Sequence, residues 1–473
     1  MRLRTGAFRA MRRLIFLTAA IFFIMPFSGY SLDFFTGLVE LSTSLRVPRN
    51  PLNDEMNPIL EGHIAFDGQI NAGDLVYGRI ALHAVTQEDP NDKIGQSDVA
   101  DSGFFPGAVT GKGYAPAKFT LDEVSLTLKQ RLKTMIHYFS FFVGSFESPG
   151  TTTYTSRYLG VAPFTSLLTQ TYFGDIGSSF YDQSGMGFSY TMRFKTPVVF
   201  SLQLASAEKI LYASNYTDDV EWLDALKQVE KPIGVPHMSP GIRLAGAFPM
   251  LVFDLAFNVV IPFKETTEQT KAVLRTGFGF QGGLSFFMGN RFSQSMLLQV
   301  GLTEFYTDEK FKLNNLYLLL EGRLVDIMPV QIHLTAFALP IEKASEMFFI
   351  REPFGANLAI LSNDFYSRTA GRSNTLGVNL TFSARNRGRI PSNLAMLIAI
   401  DQTLAEKPEY QVLDMDSLGK VPINLETISL YIAPFVGVNL FSGKFNIGAR
   451  LDLLHLDSWR DTFALRLSYR AAF

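Results

Sequence analysis

Hydrophobic and polar residues alternate along most of this chain, so that many segments carry an apolar side chain at every second position. In FDLAFNVVI (253–261), for example, Phe253 and Leu255 fall on one face and Asp254 falls on the other. A period of two is the pattern of a β-strand with one apolar face. Three further segments show it clearly: GFSYTMRF (187–194), LYLLLEGRL (316–324) and FNIGARLDLL (445–454).

The alternation predicts about 18 strands, with bounds loose by about two to four residues. They are expected near 35–46, 59–71, 74–86, 119–130, 134–146, 185–195, 197–207, 240–249, 250–262, 275–288, 293–305, 312–325, 328–340, 374–385, 393–403, 426–440, 443–455 and 461–473.

The predicted connections alternate between long and short. Turns such as RLK (131–133) and FPM (248–250) separate loops as long as 147–184 and 341–373. This sorting resembles the bacterial outer-membrane β-barrels, in which short periplasmic turns alternate with long extracellular loops and the strand number is even. The resemblance implies an all-β fold, a transmembrane antiparallel β-barrel of about 16–18 strands in the porin-like class.

Strands can cross lipid only as a closed barrel, because every backbone polar group there needs a partner within the protein. The apolar register would then face lipid, where an Arg or Lys at the midplane costs about 2–4 kcal/mol. The clearest strands carry no charge in that register. The polar register would face the lumen, and its pore-lining candidates are Arg79, Arg193, Arg243, Asp254, Glu321, Arg323, Arg450, Asp452, Arg466 and Arg470.

The first 31 residues have the order of a secretory signal peptide. A basic stretch, MRLRTGAFRAMRR, precedes the apolar run LIFLTAAIFFIMPF and the small residues of SGYS. We therefore predict Sec-type export, cleavage near Leu32 and a single barrel domain over 32–473. Removing residues 1–31 leaves 37 of the 42 Lys and Arg against 44 Asp and Glu, and this acidic balance argues against nucleic-acid binding.

No motif of catalysis or metal binding stands out. The chain has no Cys and six scattered His, none at the spacing of a metal site. Neither a GxSxG nor a P-loop pattern is present. We expect no cofactor, no metal site and no enzymatic activity, although a Ser/His/acid set drawn from distant strands stays open as an alternative.

The last segment, DTFALRLSYRAAF (461–473), places arginines on one face and a row of apolar residues on the other. That row is Phe463, Leu465, Leu467, Tyr469, Ala471 and Phe473. It resembles the β-signal that ends outer-membrane barrels. The resemblance implies the barrel-assembly machinery and periplasmic chaperones as partners, with outer-membrane lipid around the barrel and a homo-oligomer as a compatible state.

Strand number sets the lumen, and barrels with about 16–18 strands leave an aqueous channel. The hypothesis is passive diffusion of small hydrophilic solutes. Loop 147–184 resembles in position the inward-folded constriction loop of porins. Two alternatives remain: a surface barrel that displays loops for adhesion or ligand binding, and a transporter for hydrophobic molecules, which would favour an apolar pocket in the lumen.

Four local features carry expectations of their own. The glycines of GFGFQGG (277–283) suggest close packing or a bend, and TDDVEWLDALKQV (217–229) has the pattern of a short helix. The faces of MIHYFSFFVG (135–144) are not assigned by its pattern. Aromatic residues near the short turns suggest an interfacial girdle: Phe194, Phe248, Phe287, Phe292, Phe441 and Phe445.

Overall fold

The structure is a computed structural model. It describes residues 34–46, 59–72, 75–88, 117–163, 179–181, 184–211, 233–262, 278–289, 294–307, 311, 315–327, 330–340, 372–386, 392–405, 428–440, 443–458 and 463–472. The predicted signal peptide and the predicted helix 217–229 lie outside these residues.

The described residues form 18 strands that follow one another around a single sheet. The strands are β1 (Phe34–Arg46), β2 (Ile59–Ala72), β3 (Val76–Glu88), β4 (Ala117–Arg131), β5 (Met135–Ser145), β6 (Ser184–Phe194), β7 (Val198–Leu211), β8 (Ile233–Phe248), β9 (Leu251–Pro262), β10 (Gly279–Gly289), β11 (Ser295–Tyr306), β12 (Leu316–Ile327), β13 (Val330–Pro340), β14 (Arg372–Asn386), β15 (Ser392–Ala405), β16 (Ile428–Leu440), β17 (Gly443–Asp452) and β18 (Ala464–Ala472). One short helix, α1 (Thr153–Leu159), lies between β5 and β6, and a 3₁₀ turn (Leu456–Ser458) precedes β18.

The sheet closes because β1 pairs with both β2 and β18. All neighbours are antiparallel, and the closing pair runs from Leu38 opposite Ala472 to Arg46 opposite Ala464. The strand bounds leave long connections, such as 89–116 and 341–371, in alternation with short ones, such as 249–250 and 441–442. The predicted fold class, a closed antiparallel β-barrel of about 18 strands, is therefore confirmed.

Strand β8 differs most from its predicted bounds, since it begins at Ile233 rather than near residue 240. Its first residues pair with the end of β7, with Val235 opposite Lys209. Gly234 and Pro236 weaken the sequence signal there, because both residue types are unfavourable inside a strand. Pairing with a neighbouring strand overrides that weak local preference.

The two faces of the wall separate by polarity as predicted. Large apolar side chains project outward and are exposed, among them Leu41, Ile64, Phe188, Leu202, Ile242, Leu255, Leu320 and Ile398. The alternate positions face inward and hold the buried polar residues, including Glu40, Arg79, Gln203, Asp254 and Asn379. This division suits a wall with lipid on one side and water on the other.

The structure assigns the faces of β5, whose pattern was ambiguous. Ser140 and Phe142 are buried on the inner face, whereas Phe139 is 48% exposed on the outer face. The alternation is weak because Phe142 is apolar although it points inward. It stacks on Phe146 of the following loop, with ring centroids 4.5 Å apart.

A β-bulge at Asp122 bends the sheet between β3 and β4. Ala81 pairs with Glu123 and Leu82 with Leu121, so that Asp122 is the extra residue. Opposite the bulge, Gly144 has a φ of 99°. A Cβ at Gly144 would lie 2.2 Å from the Asp122 carbonyl oxygen, so this position requires glycine.

The predicted aromatic girdle is only partly present. Phe248 is exposed on the outer face, and Phe194 and Phe445 lie on the outer register of their strands. Phe287 was assigned wrongly, because it shares the inner register of β10 with Gln281 and is buried in an apolar cluster. Two further girdle candidates, Phe292 and Phe441, lie outside the described residues.

Candidate functional site

The described part of the third long connection, residues 146–163 and 179–181, folds into the barrel. Its helix α1 places Tyr154 against the inner wall, where the tyrosine hydroxyl contacts the hydroxyl of Ser201 on β7. The Ser201 oxygen lies 2.7 Å from the hydroxyl oxygen of Thr191 on β6. Both wall residues are fully buried. The described part of this loop is therefore held inside the lumen.

Helix α1 ends at a glycine and carries an aromatic face. The Gly160 N–H donates to the Ser156 carbonyl at 3.1 Å, and Gly160 has a φ of 70°, as is typical of a residue that ends a helix. Tyr154 and Tyr158 stand on one face, four residues apart, with ring centroids separated by 5.0 Å. Tyr158 also meets Tyr138 of β5 at 4.9 Å. This face packs the helix onto the wall.

An ion-pair chain ties the loop to β2, β3 and β4. Arg79 donates from Nε to Asp67 at 2.9 Å and from Nη1 to Glu123 at 2.6 Å. The second oxygen of Glu123 accepts from Arg157 of α1 at 3.2 Å. Arg157 also donates to Glu147 at 2.7 Å. Opposite charges alternate along the chain, and none of these side chains is more than 13% exposed.

Arg243 provides a second anchor from β8. Its Nε donates to Asp254 at 2.8 Å, and its Nη1 donates to the main-chain carbonyl of Glu147. The guanidinium carbon lies 4.0 Å from the centre of the Tyr154 ring, close enough for a cation–π contact. Glu147 has a φ of 50°, an uncommon value for a residue other than glycine. Contacts to both its side chain and its carbonyl hold this backbone in place.

A third anchor lies across the lumen at β10 and β11. Phe180 packs directly on two glycines, so that a Cβ would lie 2.2 Å from its ring at Gly283 and 2.8 Å from it at Gly301. Gln299 of β11 donates to the Gly150 carbonyl at 2.6 Å. The close packing predicted for the glycine-rich segment is confirmed at Gly283, and its partner is the third loop.

Burial changes the acid–base properties of the loop residues. Burial raises the pKa of Glu147 above its usual value, although Arg157 opposes the shift. Burial alone would lower the pKa of Arg157, but the charges of Glu123 and Glu147 raise it well above its usual range. Burial also raises the pKa of Tyr154. Arg157 therefore stays charged and Tyr154 stays neutral over the physiological range.

The predicted basic residues of the last strand meet one acid of the first. Glu40 on β1 accepts from Arg466 at 3.4 Å through one oxygen and from Arg470 Nε at 3.0 Å through the other. The glutamate is 2% exposed, whereas both arginines keep contact with the lumen. These lumen charges are therefore paired across the closing strands of the barrel.

Arg450 and Asp452 share the inner face of β17, but the contacts of the two differ. Asp452 accepts from His455 Nδ1 at 2.8 Å and from the main-chain N–H groups of Leu430 and Leu454 at 3.1 and 3.0 Å. The Arg450 guanidinium carbon lies 4.9 Å from the centre of the Tyr431 ring. Arg450 is 6% exposed, and its Nε and Nη1 have no hydrogen-bond partner in the described part of the chain.

The remaining pore-lining candidates form no single centre. Glu321 accepts from Thr335 at 3.2 Å, and its other oxygen lies 3.7 Å from His333 Nδ1. Arg323 is buried two residues further along β12, and Arg193 is half-buried on the inner register of β6. All ten candidates thus lie on the inner register, and among the contacts of the described residues Arg79, Arg243 and Asp254 belong to the anchors of the third loop.

Two features of the lumen were missed at the sequence level. The first is the set of loop residues that anchor to the wall: Glu147, Tyr154, Arg157 and Phe180. The second is an apolar part of the inner wall, which includes Leu319, Leu339, Leu397, Tyr431, Ala433 and Phe435. The segment LYLLLEGRL held a signal for it, because Leu319 shares the register of Tyr317 and Glu321.

The last strand has the two faces expected of the assembly signal. Arg466, Ser468 and Arg470 lie on the inner register, and Leu465, Leu467 and Tyr469 lie on the outer one. Phe463 directly precedes β18, and Phe473 lies outside the described residues. Recognition by the assembly machinery remains a prediction.

Within the described part of the chain, no α-helix has the length and apolar character needed to cross a bilayer. No group of three or more His, Cys, Asp or Glu among these residues could hold a metal ion.

No protein-family model matches the chain, and no curated protein matches it. Among solved structures, Salmonella typhi OmpF in complex with daunomycin aligns at 10% identity and a TM-score of 0.37, covering 93% of this chain and 97% of that chain. A triple mutant of Rhodopseudomonas blastica porin aligns at 9% identity and a TM-score of 0.38, covering 93% and 99%. The fold is established by the strand pairing of the chain itself.

Proposed function

We propose that this barrel is an outer-membrane channel through which small hydrophilic solutes diffuse passively. The observation that carries the proposal is the division of the wall, with charged residues such as Arg79 and Asp254 on the inner register and exposed apolar residues on the outer one. An inner surface of both signs offers hydrogen bonds and counter-charges to a hydrated solute. A barrel of this strand number is wide enough for an aqueous path.

The anchored third loop would set the width and selectivity of this path. Its described residues reach from the ion pairs of β3 and β4 to Gln299 of β11, and so cover one part of the inner wall. The loop also meets β12, where the rings of Phe180 and Tyr317 lie 5.1 Å apart, so a solute would pass between the loop and the wall on the side of β18 and β1. Arg466 and Arg470 are partly exposed on that wall, which favours contact with anions.

Planar-bilayer recording tests the proposal. Protein whose folded state is verified by heat-modifiable migration should produce discrete conductance steps in KCl, and the same preparation after heat unfolding should not. Swelling of proteoliposomes in sugars of increasing size would then give the exclusion limit. Folded protein that yields neither conductance nor swelling would refute the channel and favour a barrel that only displays its loops.

Export to the outer membrane is the second part of the proposal. It rests on the sequence of residues 1–31 and on the alternating face of β18, and it includes Sec-type export, chaperone transit and insertion by the assembly machinery. N-terminal sequencing of protein from the outer-membrane fraction should begin near Leu32. An intact N-terminus on protein that cofractionates with the inner membrane would contradict it.

A further inference from the structure

An apolar part of the inner wall, which forms one cluster with Phe180 and Tyr181 of the third loop, is unusual for a water-filled channel. On β15 and β16 the inner register holds Leu397, Tyr431, Ala433 and Phe435, each at most 8% exposed. These residues belong to one hydrophobic cluster that continues through β12 and β13. A hydrophilic solute gains nothing from such a surface, whereas an apolar group gains the free energy of leaving water.

Arg450 stands at the border of this cluster. It is adjacent to β16 because Leu451 pairs with Ile432, and its guanidinium carbon lies 4.9 Å from the Tyr431 ring centre. Two of its three nitrogens, Nε and Nη1, are buried without a hydrogen-bond partner among the described residues. Asp452, two residues away on the same face, is already engaged by His455 and two main-chain N–H groups.

A buried guanidinium without a counter-anion is costly, because burial removes its hydration and nothing replaces it. Three other arginines of the lumen have acidic partners. Arg79 and Arg243 each donate to an aspartate at under 3 Å, and Arg470 donates to Glu40. The unpartnered nitrogens of Arg450 therefore mark a place where an anion from outside the chain would be stabilised.

We propose that β15–β17 carry a binding site for small amphipathic carboxylates. The carboxylate would pair with Arg450, because the guanidinium fork matches its two oxygens. An aryl or short alkyl body would lie along Tyr431, Leu397 and Phe435. This inference rests on the proposed channel function and deepens it, since it names a class of solute that the lumen would bind as well as conduct.

Channel block tests the site with benzoate and hexanoate as the probes. Both should reduce the KCl current of the wild type in a saturable way, whereas acetate, which lacks the apolar body, and benzamide, which lacks the charge, should block at least tenfold more weakly. From butanoate to hexanoate, each added methylene should tighten the block by up to about fourfold. Each inhibition constant is taken relative to the open current of the same variant.

Substitutions separate the site from general lumen charge. Arg450→Gln should weaken the block by benzoate at least tenfold, and Arg450→Lys should restore part of it. Arg466→Gln removes an equal charge from the neighbouring strand and serves as the matched control, which should weaken the block less than threefold. Leu397→Asn should reduce the gain per methylene without removing the weak block by acetate. Equal losses in Arg450→Gln and Arg466→Gln would overturn the site in favour of a diffuse electrostatic effect.

Titration calorimetry of the detergent-folded barrel with benzoate gives a readout that does not depend on conductance. Saturable binding to the wild type that is lost in Arg450→Gln supports the site even if no current is observed, and only the channel function then fails. A conducting wild type that shows neither heat of binding nor block by benzoate overturns the site while the channel function stands. Absence of both binding and current overturns both.

Discussion

Arg243 and Tyr154 join the barrel wall to the helix of the third loop, with the guanidinium carbon of Arg243 4.0 Å from the centre of the Tyr154 ring. The same arginine is fixed by Asp254 on the next strand and donates to the carbonyl of Glu147. One side chain thus connects two strands with two points of the loop. Because Asp254 fixes Arg243, and Arg243 contacts the loop, this support keeps the described part of the loop in one geometry.

Replacing Arg243 should loosen the loop. Arg243→Gln leaves Asp254 buried without its partner and removes the contacts to Tyr154 and Glu147, and breaking a buried pair in this way costs about 3–5 kcal/mol. We expect larger and noisier single-channel currents and faster proteolytic cleavage of the third loop. Arg466→Gln, which removes a lumen arginine remote from the loop, is the control. Cleavage rates that rise equally in both variants would contradict the anchor.

The contact of Phe180 with Gly283 should tolerate no added methyl group. In Gly283→Ala the new Cβ would lie 2.2 Å from the ring, so that Phe180 must leave its site. We expect increased current noise, and we expect Phe180→Ala to have a similar effect. The double variant should be no worse than either single one, because both changes break the same contact. Gly78→Ala, whose Cβ would meet its nearest neighbour at an ordinary 3.7 Å, is the matched control.

The raised pKa of Glu147 predicts a pH dependence of loop docking. Because burial raises this pKa, the docked loop binds the proton more tightly than a released loop does. The resulting stabilisation is fully present below the ordinary glutamate pKa of about 4.3 and is lost as the pH rises through the raised value. Current noise should therefore increase with pH across that window. Glu147→Gln cannot ionise and should flatten the dependence; an unchanged profile in that variant would rule out Glu147 as the cause.

The opposite faces of β1 give a matched test of membrane insertion. Leu41 is 46% exposed on the outer face, whereas the adjacent Ser42 is half-buried on the inner register beside the lumen. Leu41→Lys should lower the free energy of unfolding in lipid by as much as about 2–4 kcal/mol, and Ser42→Lys should lower it by much less. Urea titrations of heat-modifiable migration in liposomes measure both. Equal losses would mean that the outer face does not meet lipid.

The strands could be predicted because each one carries its own signal. A lipid-facing register admits no charge, so alternation persists even where individual residues have low strand propensity. The signal fails where local chemistry is atypical, as at Gly234 and Pro236 of β8, and where an inner position is apolar, as at Phe142. In both cases contacts with a neighbouring strand or loop determine the structure. The sequence pattern of a single segment does not show which residues will lie beside it.

The anchors of the third loop could not be predicted for a related reason. Arg243 and Glu147 are 96 residues apart, and Gln299 and Gly150 are 149 apart. Alternation shows that Arg243 and Gln299 point inward, but it does not show what meets them there. The apolar inner wall was missed because a register that holds Glu321 was read as polar throughout, although Leu319 belongs to it.

The bonds from Arg466 and Arg470 to Glu40 join residues about as far apart along the chain as its length allows, separated by 426 and 430 positions. Successive side chains of a strand point to opposite faces, so a slip of one position at this closure would turn Glu40, or both arginines, into hydrocarbon. Only an even offset keeps Glu40 and both arginines on the lumen side of the wall. Of these offsets, the observed one brings both arginines within reach of Glu40. The ion pairs of Glu40 with Arg466 and Arg470 therefore favour one register for the pairing of β18 with β1. A barrel closed in another register would lack these pairs and would be less stable.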